Sequence, residues 1–235
     1  EKDGRLYNVA AVLHQGRILG MIPKKNIPMY AEFYEGRYFT PGEENVTNYC
    51  LGGQEIPFGT NLLFRCEELP ELVVGCEICE DLWVAESPST AHALMGATVI
   101  ANLSASNETV SKDDYRELLV RSTSARLLCG YIYTSAGSGE STQDLVFGGH
   151  DLIAENGTLL ARSSRFSTGI LYGDLDVFKI NSERRRMGTY GKRPLRPYLT
   201  IPFSMELTET KLDRKFAAHP FVPEDKEERN RRCED

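Results

Sequence analysis

The chain has 235 residues, 41% hydrophobic and 26% charged, which suits one soluble α/β domain with a substantial core. No apolar run approaches the roughly 20 residues of a bilayer-spanning helix, and Glu1-Lys2-Asp3-Gly4 does not resemble a secretory leader, so a cytoplasmic protein off the membrane is expected. A net charge of −7 disfavours nucleic acid as a partner, and the Arg184-Arg185-Arg186 run does not reverse that.

Residues 7–13 and 17–22 are apolar and rich in β-formers, and His14-Gln15-Gly16 between them predicts a hairpin that Pro23 ends. Residues 23–60 are rich in Pro, Gly, Asn and Tyr with little periodicity, which predicts a long ordered loop, of a kind that is often functional, with at most a helical turn. Residues 62–66 and 72–78 predict a second strand pair, with Cys79 where the latter strand ends. A short helix over 89–96 and a buried strand over 98–103 follow. Ser111-Lys112-Asp113-Asp114 then reads as an N-cap opening a helix to about Cys129. Tyr115, Leu118, Leu119, Ala125 and Leu128 form its expected buried face, and Gly130 its stop. Strands are predicted over 131–135, 150–154 and 158–162, with a fourth over 169–175 closing the sheet. The Glu155-Asn156-Gly157 turn makes its strand pair antiparallel, while helix-separated strands can be parallel, so a mixed sheet with helices on one face is implied. Beyond Pro194, prolines 194, 197, 202, 220 and 223 and the charged stretch 224–235 read as a linker or a solvated helix leaving the domain.

Six scattered cysteines, Cys50, Cys66, Cys76, Cys79, Cys129 and Cys233, read as reduced thiols rather than a disulfide framework. Asn-x-Ser/Thr triplets at Asn45, Asn102, Asn107 and Asn156 carry no weight without a secretion signal. Cys79 is the informative one. A cysteine at the C-terminal end of a buried strand is where α/β enzymes present nucleophiles, although from position alone a buried structural thiol is the commoner reading. Cys76 and Cys79 also form a C-x-x-C. Residues three apart on a strand point to opposite faces, and no second pair exists to complete a zinc site, so redox or zinc chemistry is disfavoured.

Gly75-Cys76-Glu77-Ile78-Cys79-Glu80-Asp81-Leu82-Trp83 resembles the nucleophile motif of the glutaminase domain of NAD synthetases, members of the nitrilase superfamily. Pro23-Lys24-Lys25-Asn26-Ile27-Pro28-Met29-Tyr30, followed by Glu32-Phe33-Tyr34-Glu35-Gly36-Arg37, is similar to the family's catalytic-lysine segment, with Met29 departing from the usual Asn. The run from Asn102 to Lys112, Gly139-Glu140-Ser141-Thr142-Gln143-Asp144, and Glu155-Asn156-Gly157-Thr158-Leu159-Leu160 resemble it too. The resemblance implies a nitrilase-like α-β-β-α sandwich with a mixed sheet, Cys79 as nucleophile, Lys24 as catalytic lysine and Glu35 as the acid that positions it. It further implies that Tyr30, Glu80, Ser106 and Lys112 receive L-glutamine, with Lys112 on its carboxylate and Glu80 on its ammonium. The chemistry asks for these types: amide hydrolysis by cysteine needs a thiolate, and a nearby ammonium favours it and can stabilise the oxyanion. Taken alone, Lys24 reads as solvated, Glu35 as a surface partner of Arg37, Tyr30 as packing, Glu80 as a strand-end charge, Ser106 as a turn former and Lys112 as a first helical residue.

The family's general-base glutamate lies roughly a hundred residues before the nucleophile, and nothing in residues 1–20 has its surroundings. No Ser-Gly-Gly-x-Asp-Ser pyrophosphate loop is present either. The chain therefore reads as a glutaminase domain over residues 1–193 without its N-terminal part, then a linker over 194–235 toward a synthetase domain of the same protein, and is expected not to turn over glutamine alone. No cofactor is expected here, and no metal ligands; ATP and Mg belong to the synthetase domain, which would make NAD with the ammonia released. A homo-oligomer is expected. The competing readings are a stand-alone nitrilase-type amidase on another small amide and a non-catalytic assembly module. A papain-like protease fits less well, since His14, His92, His150 and His219 lack partner surroundings.

Overall fold

The computed structural model describes residues 1–140, 145–191, 197–214, 222–223 and 225–234. Two sheets pack face to face, and helices cover the outer face of the larger one. The smaller sheet holds β1 (Val9–His14), β2 (Arg17–Pro23), β3 (Thr47–Leu51) and β4 (Gln54–Phe58), in the order β1-β2-β4-β3. In the larger sheet, β5 (Leu62–Cys66) pairs antiparallel with β6 (Val73–Ile78), the short helix α1 (Pro88–Leu94) follows, and β7 (Val99–Ser104) pairs parallel with β6. The long helix α2 (Lys112–Leu127) then leads to β8 (Gly130–Ser135), parallel to β7, and the hairpin β9 (Leu152–Glu155) and β10 (Thr158–Arg162) completes that side. Helix α3 (Val177–Arg186), strand β11 (Leu199–Phe203) and the exposed helix α4 (Lys226–Glu234) close the described chain.

Alternation along the strands assigns each residue to a layer. Leu62 and Phe64 of β5 and Cys76 and Ile78 of β6 meet Ala10 and Ile22 of the smaller sheet, while Leu63, Val73, Ile100, Tyr131 and Tyr133 face Ala93 of α1 and Val120 and Leu127 of α2. The mixed sheet with helices on one face is as expected. Among the described residues, no helix covers the outer face of the smaller sheet.

Three of the hairpins turn on two residues with positive φ, Gln15-Gly16, Gly52-Gly53 and Asn156-Gly157, while β5 and β6 are joined by the longer connection 67–72. The β3–β4 hairpin lies in the stretch expected to be a loop. Its Gly52-Gly53 signal was legible, but β3 is exposed on both faces and so carries no alternation.

Several other expectations are corrected. Residues 169–175 form no strand; the sheet gains instead β11, which pairs in parallel with β5 at the opposite edge, so residues 199–203 of the expected linker belong to the larger sheet. Pro202 is tolerated there because the strand lies at the edge. Ser111 does not cap α2: its φ is 64° and its side chain makes no cap hydrogen bond. The helix stops at Leu127 through Leu128 in the left-handed region, and Gly130 already belongs to β8, where a Cβ would meet Leu175 at 2.7 Å. The buried face of α2 is Arg116, Val120, Thr123, Ser124 and Leu127, with Tyr115 51% and Leu118 62% exposed. Burying Arg116 is what turns the helix: its guanidinium pairs with Glu108 at 2.8 Å and donates to Ser106. Arg184 of the arginine run donates to the carbonyls of Ala97, Leu127 and Leu128, fastening α3 to the end of α2.

Candidate active site

Where β2 ends, Lys24 N donates to Asn8 O and Gly42 N donates to Lys24 O, each at 2.8 Å. Gly42 comes so close to Pro23 that an added Cβ would sit 2.7 Å from it. This clamp buries Lys24 completely. Its ammonium donates to both oxygens of Glu35 at 2.8 Å, and Glu35 opens the 3-10 turn Glu35–Arg37. Glu35 thus serves Lys24 and is no mere surface partner of Arg37.

Strand β6 delivers Cys79 into a turn, Cys79–Leu82, with a φ of 48°. Such a backbone conformation costs a non-glycine residue about 1–3 kcal/mol and is held only by its surroundings. Asp81 supplies the hold. It is 2% exposed; one carboxylate oxygen accepts from Ile78 N at 3.0 Å, the other from Asn26 N and Nδ2 at 2.8 Å. Burial raises its pKa in spite of these bonds. Asp81 thereby ties the segment that carries Lys24 to the turn that carries Cys79. Cys76 is different: it is packed between the sheets, where burial pushes its thiol up to about 12.

Cys79 opens onto a cleft of about 380 Å³ that Tyr30, Glu80, Ser106 and Lys112 also line. The Tyr30 hydroxyl donates to both oxygens of Glu80, at 2.9 and 3.0 Å; burial, then this carboxylate, pushes Tyr30 up to about 12. Ser106 is buried and accepts from Arg116 at 3.2 Å. Lys112 stands over the rings of Trp83 at 5.2 Å and Phe33 at 5.6 Å, and donates to Asn107 Oδ1. Burial lowers its pKa, and neighbouring Arg116 adds to that.

The structure therefore brings five of the seven sequence-derived residues into one cleft. Lys24 and Glu35 do not line it; they pair with each other and join it through Asp81. Asp81, Asn107, Glu32 and Arg116 were not singled out from sequence, although the first three stand within the quoted motifs. Ser141-Thr142-Gln143-Asp144 of the later motif lies outside the described residues.

Comparison with known proteins gives a consistent picture. The chain is 42% identical over 97% of its length to glutamine-dependent NAD(+) synthetase of Mycobacterium tuberculosis and 32% identical over 80% to that of Aquifex aeolicus. It spans 35% and 30% of those proteins, about a third of their length. Among solved structures, a glutamine-dependent NAD(+) synthetase from Cytophaga hutchinsonii aligns with a TM-score of 0.63 at 29% identity, over 73% of this chain and 27% of that one. Saccharomyces cerevisiae Nit3, of the nitrilase superfamily, shares the fold with a TM-score of 0.59 at 20% identity, over 83% of this chain and 62% of that one. The carbon-nitrogen hydrolase family matches residues 1–185, most of both sheets and the whole cleft, and the chain belongs to that family.

Proposed function

We propose that the chain is the nucleophile-bearing part of a glutaminase that, once the family's general-base glutamate is supplied, cleaves the side-chain amide of L-glutamine through a thioester on Cys79, and that the ammonia released serves a synthetase that makes NAD from deamido-NAD with ATP and Mg. One observation carries this reading: the thiol of Cys79 shares a cleft with a carboxylate, Glu80, and an ammonium, Lys112, the two groups that an amino acid's α-ammonium and α-carboxylate need. Naming of the relatives as glutamine-dependent synthetases supports it.

In this mechanism the thiolate of Cys79 attacks the amide carbon, the carbonyl electrons become an oxyanion, and collapse breaks the C–N bond as the nitrogen takes up the proton that the thiol gave to the family's general-base glutamate and leaves as ammonia. Water then attacks the thioester carbon and releases glutamate with the thiol. By the family resemblance the Lys24 ammonium is assigned to steady the oxyanion, and the Glu35 carboxylate fixes the lysine's direction. Tyr30 orients Glu80, and Ser106 meets the substrate from the β7 side. The glutaminase unit comprises residues 1–193 together with β11, and the rest of 194–235 leads toward the synthetase domain. The same reading carries with it a homo-oligomer in the cytoplasm.

The test is competition at the thiols. A thiol-directed glutamine analogue is expected to modify Cys79 selectively, L-glutamine is expected to protect it, and peptide mass mapping reads both. Equal modification of the exposed Cys50, unaffected by glutamine, would refute the proposal.

A further inference from the structure

Three charged or polar side chains along one wall of the cleft form a relay whose middle member has no role in the chemistry above. Asn107 Nδ2 donates to Glu32 Oε1, and Lys112 Nζ donates to Asn107 Oδ1. Asn107 is 4% exposed, whereas Glu32 and Lys112 both line the cleft. Its backbone is pinned as well: it bridges to Phe147, and the buried guanidinium of Arg116 donates to its carbonyl at 3.4 Å.

The order of the relay is chemically forced. A carboxylate only accepts and an ammonium only donates, so the amide between them must turn its NH₂ to Glu32 and its oxygen to Lys112. The reverse orientation would set donor against donor and acceptor against acceptor. Glu32 stays ionised because its own backbone N–H and Asn107 hold its carboxyl below the usual range. The amide thus takes up one of the three N–H groups of Lys112, the Trp83 and Phe33 rings flank the ammonium, and among the described residues no other side chain accepts from it, which leaves donors for a ligand.

We propose that Asn107, oriented by Glu32, is a positioning residue that holds the Lys112 ammonium in place for the α-carboxylate of the substrate. The inference rests on the glutamine reading, and it assigns amino-acid selectivity to a residue that does not touch the reacting atoms.

The experiment compares two reagents that alkylate Cys79 with loss of chloride: an L-amino-acid chloroketone that shares glutamine's α-groups, and chloroacetamide, which lacks them. The readout is the ratio of their second-order rate constants, with glutamine protection of the unsubstituted chain measured alongside. Asn107→Ala is expected to lower the ratio about tenfold, the worth of one hydrogen bond to a charged group. Asn107→Asp keeps the size and the oxygen but sets a carboxylate against Glu32 and neutralises Lys112, so it too is expected to lower the ratio. If glutamine protects the unsubstituted chain but neither variant changes the ratio, the inference fails and the glutamine reading stands. A parallel fall of both rate constants also overturns it, since that marks a structural role alone. With no protection and no preference in the unsubstituted chain, the glutamine reading falls and takes the inference with it.

Discussion

The two faces of β6 are alike in burial and unlike in chemistry. Toward the smaller sheet, Cys76 and Ile78 pack among Ala10, Ile22, Leu62 and Phe64. Toward the helices stand Gly75 and Glu77. Glu77 accepts from Ser89 N at the start of α1 at 2.8 Å, from Asn102 Nδ2 at 3.4 Å and from the Tyr131 hydroxyl. Gly75 admits His92, whose Nε2 hydrogen-bonds the Cys76 carbonyl at 3.1 Å and whose Nδ1 pairs with the Tyr198 hydroxyl at 2.9 Å. Apolar packing is non-directional and tolerates small changes, whereas hydrogen bonds set α1 at one position along the strand. Cys79 sits where the two faces end, so the apolar face holds the sheets together and the polar face aims the turn.

The sharpest test of that division separates the two cysteines. In the full-length protein, Cys79→Ala is expected to cut glutamine-supported NAD formation by about 10⁴-fold or more while leaving ammonia-supported formation near its starting level. Cys76→Ala removes one sulfur from the apolar layer and is expected to cost on the order of 1 kcal/mol of stability with little loss of glutamine-supported rate. Equal loss of activity from both would break the comparison.

A smaller effect is expected at the turn. Asp81→Ala leaves the N–H groups of Ile78 and Asn26 without their acceptor, each worth about 1–3 kcal/mol when buried. Urea unfolding is expected to show a loss of about 3 kcal/mol, and alkylation of Cys79 should slow as Lys24's segment comes adrift. Unchanged stability would mean that Asp81 ties nothing.

The mildest effect is one of pH. Burial pushes Glu77 up to about 7 from an ordinary value of 4.5, so the folded chain keeps a proton that the unfolded chain has already released. Its contribution to stability is complete below 4.5 and is lost as pH rises through 7. Between pH 5 and 8, Glu77→Gln is therefore expected to gain on the parent chain by roughly 1–3 kcal/mol. Burial pushes His92 down to about 4, which gives a slope of opposite sign below 6.5, but that term is common to both chains and cancels in the difference. Parallel unfolding free energies across this range would show that Glu77 is not what makes the polar face pH-sensitive.

What could be read locally was read well. Gln15-Gly16 and Asn156-Gly157 marked their hairpins because positive φ is a property of a residue and its immediate neighbours. Strands β5 to β8 were legible since their apolar runs are short and bounded by turns. The face of α2 was not, because periodicity counts Tyr115 and Leu118 as apolar and cannot see that Glu108 waits to pair with Arg116 inside. Strand β11 was missed for a similar reason: a proline-bearing segment becomes a strand only when an open edge such as that of β5 lies beside it.

By itself the sequence determined the β–α alternation, the cysteine at the end of β6 and the residue types around it, since these follow from local pattern and from motifs confined to short segments. Only the tertiary structure decided that Lys24 is buried against Glu35 rather than solvated, that Asp81 joins two segments 55 positions apart, and that Asn107 stands between Glu32 and Lys112. Burial and pairing are properties of what surrounds a side chain, and those surroundings come from strands and loops that meet only when the chain folds.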